Sequence, residues 1–252
     1  GNSNNLEADH FPPTLNGRGR LNPTQNLVDA FPAVNGYPIS DPASNYDPND
    51  PYANRDPRLR TYILVNRATA GVNASTIITA ADGGTNDALN AEATSTRTGY
   101  YMRKLLRQDV NLSTATTTQQ LHYKPRIRYT ELYLIYAEAA NEAWGPTGTG
   151  SFGFSAYDVI AAIRERAGIA QPDAYLESIR GDKNAMRTLI RNERRLELCF
   201  EGFRFWDLRR WGLNLTETAD GVSIVNGVPN RIEVEEREYQ DYMQYGPVPY
   251  NE

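Results

Sequence analysis

The chain has 252 residues, enough to bury a substantial core in one large domain or two small ones. Its formal net charge is −5, and its arginines are interleaved with acids, which argues against the clustered basic face of a nucleic-acid surface. No run of about 18 apolar residues is present, so no membrane span is expected, and Cys199, the single cysteine, leaves no intrachain disulfide.

Residues 1–57 hold nine of the fifteen prolines. Pro42, Pro48, Pro51 and Pro57 each follow an Asp, a pairing that favours turns and extended backbone. A disordered linker carries few aromatics, yet this segment has Phe11, Phe31, Tyr37, Tyr46 and Tyr52, so it reads as an ordered loop wrapped on a scaffold. Arg60–Val65 and Thr76–Thr79 have the β-branched and aromatic character of short strands. Residues 80–98, rich in Ala, Thr, Asn and Gly, read as an exposed loop, and Tyr100–Leu106 fits strand or helix equally.

Beyond Pro125 the pattern turns helical. Leu132, Ile135, Tyr136, Ala139, Ala140 and Ala143 follow the spacing of one amphipathic face, and Gly145-Pro146 ends it. Ser155 with Asp158 forms a capping box before Tyr157, Ile160, Ala161 and Arg164, and Gly168 closes that helix. Two such helices with alanines between them look like one tetratricopeptide-type unit, which cannot bury both faces alone and needs neighbours, Lys183–Phe200 among them. Asn226-Gly227, inside Gly221–Pro229, marks a hairpin.

The run from Arg191 to Gly212, RNERRLELCFEGFRFWDLRRWG, is the most informative. Glu193, Glu197 and Glu201 recur every four residues, on one helix face that Arg194, Arg195, Arg204, Arg209 and Arg210 can reach or flank. Met186, Leu189, Ile190, Glu193, Leu196 and Phe200 make the apolar face, so Glu193 stands where a hydrophobe belongs and needs an arginine partner. Gly202 then breaks the helix, and a second aromatic turn ends at Trp211-Gly212.

Chemistry-bearing constellations are few. His10 and His122 lie far apart in sequence, which disfavours a zinc site or a histidine-based triad. The Gly17-Arg18-Gly19 and Gly83-Gly84 pairs match no phosphate loop. Glu193 and Glu197, one turn apart, have the spacing of a glycosidase pair, but arginines crowding both would deprive the site of its acid. Asp47, Asn49 and Asp50 in the Asp41–Asp56 loop could recruit calcium, although turn formation is the commoner role of Asp and Asn beside proline. No cofactor is implied. The aromatics remain: Tyr133, Tyr136, Tyr157, Phe200, Trp206 and Trp211 sit in helical segments and are expected in the core, whereas Phe11, Tyr37, Tyr46 and Tyr52 lie on the loop and are the candidate ligand-stacking residues.

The same run resembles the signature of the SusD/RagB family, through Glu193-Arg194-Arg195, Glu197-Leu198, Phe200-Glu201-Gly202, Arg204, Asp207-Leu208 and Arg210-Trp211-Gly212. Arg126–Glu142 and Tyr157–Gly168 resemble further family blocks, as do Pro23–Phe31, Asn35–Ile39, Arg55–Leu59 and Tyr239–Glu252. The resemblance implies a mainly α fold with tetratricopeptide-like helical pairs, long irregular loops and a few short β-strands. Residues 1–125 would be a loop-rich segment with short strands, 126–215 the helical region, and 216–252 a hairpin and tail, together one unit of a larger fold of which this chain is the C-terminal half. It further implies a non-catalytic lipoprotein at the cell outer membrane, surface-exposed, that binds an oligosaccharide for polysaccharide utilisation, or a peptide. That protein would deliver its cargo to a TonB-dependent transporter of the SusC type. Membrane attachment would run only through a lipid anchor that residues 1–252 do not include. Glycoside hydrolysis and a pure helical-repeat interaction module are the competing readings.

Overall fold

The computed structural model describes residues 1–240 and 243. Short elements come first: strand β1 (Asn2–Ser3), helices α1 (Asn5–His10), α2 (Gln25–Ala30) and α3 (Arg58–Tyr62), then strands β2 (Ile63–Leu64), β3 (Thr69–Ala70), β4 (Ser75–Thr76), β5 (Tyr101–Met102) and β6 (Gln120–Leu121). Longer helices follow: α4 (Tyr129–Trp144), α5 (Ala156–Ala167), the short α6 (Ala174–Ser178), α7 (Lys183–Glu197) and α8 (Phe203–Arg210). The hairpin β7 (Ala219–Val225) and β8 (Val228–Glu235) comes last. Among the described residues the strands form four antiparallel pairs, β1–β6, β2–β5, β3–β4 and β7–β8, so helices dominate the regular structure there.

Several sequence signals act as read. Gly145 caps α4, and Ser155 and Asp158 form a complete capping box on α5. Gly168 takes the left-handed conformation that closes α5. Asn226 and Gly227, at φ 51° and 78°, make the two-residue turn of the β7–β8 hairpin. That hairpin is longer than Gly221–Pro229, and the Tyr239–Glu252 resemblance falls largely outside the described residues.

Other expectations are corrected. Arg60–Val65 is helical up to Tyr62, because the Asp56 carboxylate accepts from Arg58 N at 2.9 Å and Pro57 presets the first turn, leaving only Ile63–Leu64 as strand. Of Thr76–Thr79 only Thr76 is in a strand, since the Asn66 side chain, at 3.0 Å, replaces a ladder partner for Thr79 N. Residues 80–98 are irregular but not uniformly exposed: Asp87, Ala88, Ser95, Thr96 and Thr98 are buried, and the Asp87 carbonyl accepts from Tyr101 Oη at 2.9 Å. Of Tyr100–Leu106 only Tyr101–Met102 is strand, β5, paired with β2.

The helical layer corrects the α4 face as well. Thr130, Leu134, Ala137, Ala140 and Asn141 are its buried residues, whereas Leu132 and Ile135 face outward. Apolar side chains ring most of α4, so the spacing fits two faces. The one chosen is narrow, with Ala137 and Ala140 allowing close approach to α5 and α7. Leu134, Ile160, Met186 and Ile190 fill that core, each contributing about 1.5–3 kcal/mol by leaving water. A second core unites Val28, Phe31, Leu59 and Ile63 with Leu196, Val222 and Ile224, joining the loop-rich segment, α7 and the hairpin through shared packing.

Candidate functional site

The Arg191–Gly212 run lies at the centre of a buried ion-pair lattice. Glu193 is completely buried; its Oε2 accepts from Arg58 Nη1 at 2.9 Å and its Oε1 from Arg164 Nη1 at 3.0 Å. Burial alone would raise the Glu193 carboxyl pKa, but the two guanidinium groups outweigh it and hold it below the ordinary carboxylate value. Glu197 shares Arg58 Nη1 at 2.9 Å and takes Arg166 Nη2 at 2.7 Å. The helix ends at Glu197, so Glu201 lies in the following turn rather than on the α7 face, where Lys104 and Arg128 hold it at 2.7 and 2.8 Å. Gly202, at φ 86°, starts α8.

Arg194 and Arg210 converge on Asp207 at 2.7 and 2.8 Å, and Arg210 and Trp211 both donate to Glu138 on α4. Arg195 and Arg204 are half-buried neighbours. Burial and the adjacent Arg195 charge push the Arg204 guanidinium down to about 10. The partners of Glu193 are therefore Arg58 and Arg164, not the arginines of its own run. Arg164 carried a signal that could have found it: like Glu193, it is a charge on a helix face otherwise made for apolar residues, and it is completely buried.

The four loop aromatics divide. Phe11 has no exposed surface and packs with Met102, Leu106 and Val110, so it cannot stack on a ligand. Tyr52 is buried too, its hydroxyl 3.1 Å from that of Tyr100, and burial pushes its pKa up to about 12. Tyr37 and Tyr46 stay partly exposed. Tyr37 meets the Tyr175 ring of α6 edge-on at 5.4 Å, and Tyr46 lies 5.4 Å from the Arg55 guanidinium over its face. Tyr175, whose pKa burial raises, is the aromatic that sequence reasoning missed. Among the aromatics expected in the core, Tyr133 and Trp206 are instead 49% and 58% exposed, because they lie on the outer faces of α4 and α8.

The loop bearing Tyr37 and Tyr46 is fastened by buried arginines. Arg164 Nη2 donates to Gly36 O at 2.8 Å, and Arg55 Nη2 to Val28 O and Phe31 O at 2.6 and 2.8 Å. Val34 N donates to Asn54 O and Val34 O accepts from Ala170 N, and Ala33 bridges to Arg55. Gly36 is at φ 91°, and an added Cβ would sit 2.5 Å from Asp173 Oδ1 and 2.7 Å from Arg164 Nη2, so glycine suits this fastening. The loop acids act as turn formers: Asp41 caps Ala43 N and Asp47 caps Asn49 N, at 2.9 and 2.8 Å. The site thus offers partly exposed, preorganised aromatic rings with polar atoms beside them. Glu193 and Glu197, the carboxylates spaced like a glycosidase pair, share the Arg58 guanidinium inside the buried ion-pair lattice.

The family model described as the SusD family matches residues 1–252. A SusD-like protein, P25, from Formosa agariphila is 34% identical over 122 residues, covering 48% of this chain and 21% of that protein. A SusD-like protein of Bacteroides fragilis superposes with a TM-score of 0.72 at 29% identity, over 94% of this chain and 45% of its own. A SusD-like carbohydrate-binding protein of the same species gives a TM-score of 0.74 at 25% identity, over 97% and 49%. The chain therefore spans less than half the length of these relatives.

Proposed function

Since the chain belongs to the SusD family, we propose that it is a non-catalytic nutrient-binding protein exposed at the outer-membrane surface. In this reading it holds an oligosaccharide and passes it to a TonB-dependent transporter of the SusC type. The observation that carries the reading is the fastening of Tyr37 and Tyr46 by Arg164 and Arg55, residues buried beneath the loop. Rings already held in place lose little freedom when a sugar face stacks on them, so more of the contact energy appears as affinity. The carbohydrate-binding relative from Bacteroides fragilis favours a glycan over a peptide as the cargo. The arginines that hold the Glu193 carboxyl below its ordinary value favour capture over cleavage, because a glycosidase needs one carboxyl that stays protonated.

The test is retardation in native gels cast with a panel of polysaccharides, with short peptides offered as competitors, and chromatography of the recovered glycan. Retardation by at least one glycan with its chain length unchanged is the expected result. Shortened glycan would identify an enzyme, and migration unaffected by every glycan would remove the capture role.

A further inference from the structure

The loop that carries Tyr37 and Tyr46 has a one-sided charge. Residues 35–54 include Asp41, Asp47 and Asp50 and no Lys, Arg or His. Asp47 and Asp50 are exposed, and Asp41 is half-buried. Oδ1 of Asp41 accepts from Ala43 N and Oδ1 of Asp47 from Asn49 N, which orients both carboxylates. Oδ2 of each is left without a partner among the described residues.

The cations beneath the loop do not balance these acids at the surface. Arg55 is buried and donates to the carbonyls of Pro51, Val28 and Phe31. Arg164 is buried against Asp173 and Glu193 and donates to Gly36 O. Arg231 is held between Asp29 and Asp220. The carboxylates, in contrast, act on the rings. Burial raises the pKa of the Tyr46 hydroxyl, Arg55 opposes the rise, and Asp29 and Asp47 add to it. At Tyr175, which Tyr37 meets edge-on at 5.4 Å, burial again raises the pKa and Arg164 opposes it, while Asp41, Asp173 and Asp182 add to it.

Such a rim treats two kinds of sugar differently. The hydroxyls of an uncharged glycan can donate to the free carboxylate oxygens, and hydrogen bonds to an ionised acceptor are the stronger kind. A uronate or a sulfate ester meets the same oxygens as a like charge, and residues 35–54 hold no guanidinium fork to recognise it.

Resting on the capture reading above, we propose that the aromatic loop selects uncharged glycans against those bearing carboxylate or sulfate, with Asp41 and Asp47 as the residues that set the choice. The acids make no site of their own. They border the rings, accept sugar hydroxyls and repel anionic groups brought up to the stacking faces.

The test is titration calorimetry with oligosaccharides of dextran, xylan, galactan and mixed-linkage β-glucan, each beside its partially sulfated derivative, in buffer without divalent cations. The neutral form of whichever backbone binds is expected to bind about tenfold or more tighter than its sulfated form at low salt. That gap should narrow between about 10 mM and about 1 M salt, over which the screening length falls from about 30 Å to about 3 Å. Asp41→Asn/Asp47→Asn keeps the oxygens that accept from Ala43 and Asn49, and should cut the neutral-to-sulfated ratio about fivefold or more. If that variant does not fold, the salt dependence of the parent decides. Equal affinity for the two forms, tighter binding of the sulfated form, or a ratio that salt does not move overturns the charge selection and leaves capture standing. A ratio unchanged in the folded double variant overturns the roles of Asp41 and Asp47. Binding of none of these probes removes the capture reading, and the selection with it.

Discussion

Arg58 and Glu193, 135 positions apart in the chain, meet through Nη1 and Oε2 at 2.9 Å with both side chains almost wholly out of water. This contact fastens α3 to α7, and Arg164 on the other oxygen fastens α5 to the same point. Removing one member of such a lattice leaves uncompensated buried charge, a loss of about 3–5 kcal/mol. Glu193→Ala is therefore expected to lower the melting temperature severely or abolish folding. A variant that melts with the parent would contradict the lattice's role.

The same carboxylate gives the fold a pH signature. Its pKa is depressed in the folded state, so its contribution is present above the ordinary value of 4.5 and is lost as pH falls through the lower folded value. Stability measured by urea unfolding should decline as pH drops below about 4.5. In Glu193→Gln, starting from a lower plateau, that decline should be shallower. Parallel curves for the two proteins would assign the acid sensitivity elsewhere.

That Glu193 needed arginine was legible, because a carboxylate on an apolar helix face stays ionised only beside an opposite charge. Which arginines was not: Arg58 and Arg164 come from α3 and α5, and no local spacing reports a contact made by tertiary packing. The α4 face misled for a related reason. A helix apolar on nearly all sides has no single periodic answer, and the small Ala137 and Ala140 chose the buried side. Asp56-Pro57 hid a helix start inside what read as a turn before a strand. Local signals with their own chemistry, the Ser155–Asp158 box and Asn226-Gly227, transferred directly.

The loop aromatics should separate by experiment as they do in space. Phe11→Ala empties a packed site and should cost about 3–5 kcal/mol in unfolding free energy. Tyr46→Ala removes a partly exposed ring and should cost less than half as much. Equal losses would mean that Tyr46 pins the loop rather than presenting a surface.

Gly36→Ala tests the fastening itself. The added methyl meets Arg164 in a backbone conformation that L residues rarely adopt, so a loss of about 1–3 kcal/mol is expected, along with displacement of Tyr37 from Tyr175. The chemical shifts of Tyr37 and Tyr175 in NMR spectra should move together. Unmoved signals and stability would show that the loop does not depend on this contact.

Cys199 should be inert in the native protein. Burial pushes its thiol up to about 11, leaving little thiolate at neutral pH. Reaction with a disulfide reagent at pH 8 should appear only on unfolding, and fast labelling of folded protein would contradict its burial.

The central claim is that a rigid aromatic loop captures glycan without chemistry. Its most direct test is calorimetric titration of a gel-retained oligosaccharide into the parent and into Tyr37→Ala/Tyr46→Ala. The account predicts saturable binding to the parent, intact glycan afterwards, and affinity about tenfold or more weaker in the double variant at unchanged circular dichroism. Equal affinity in the two proteins would contradict it.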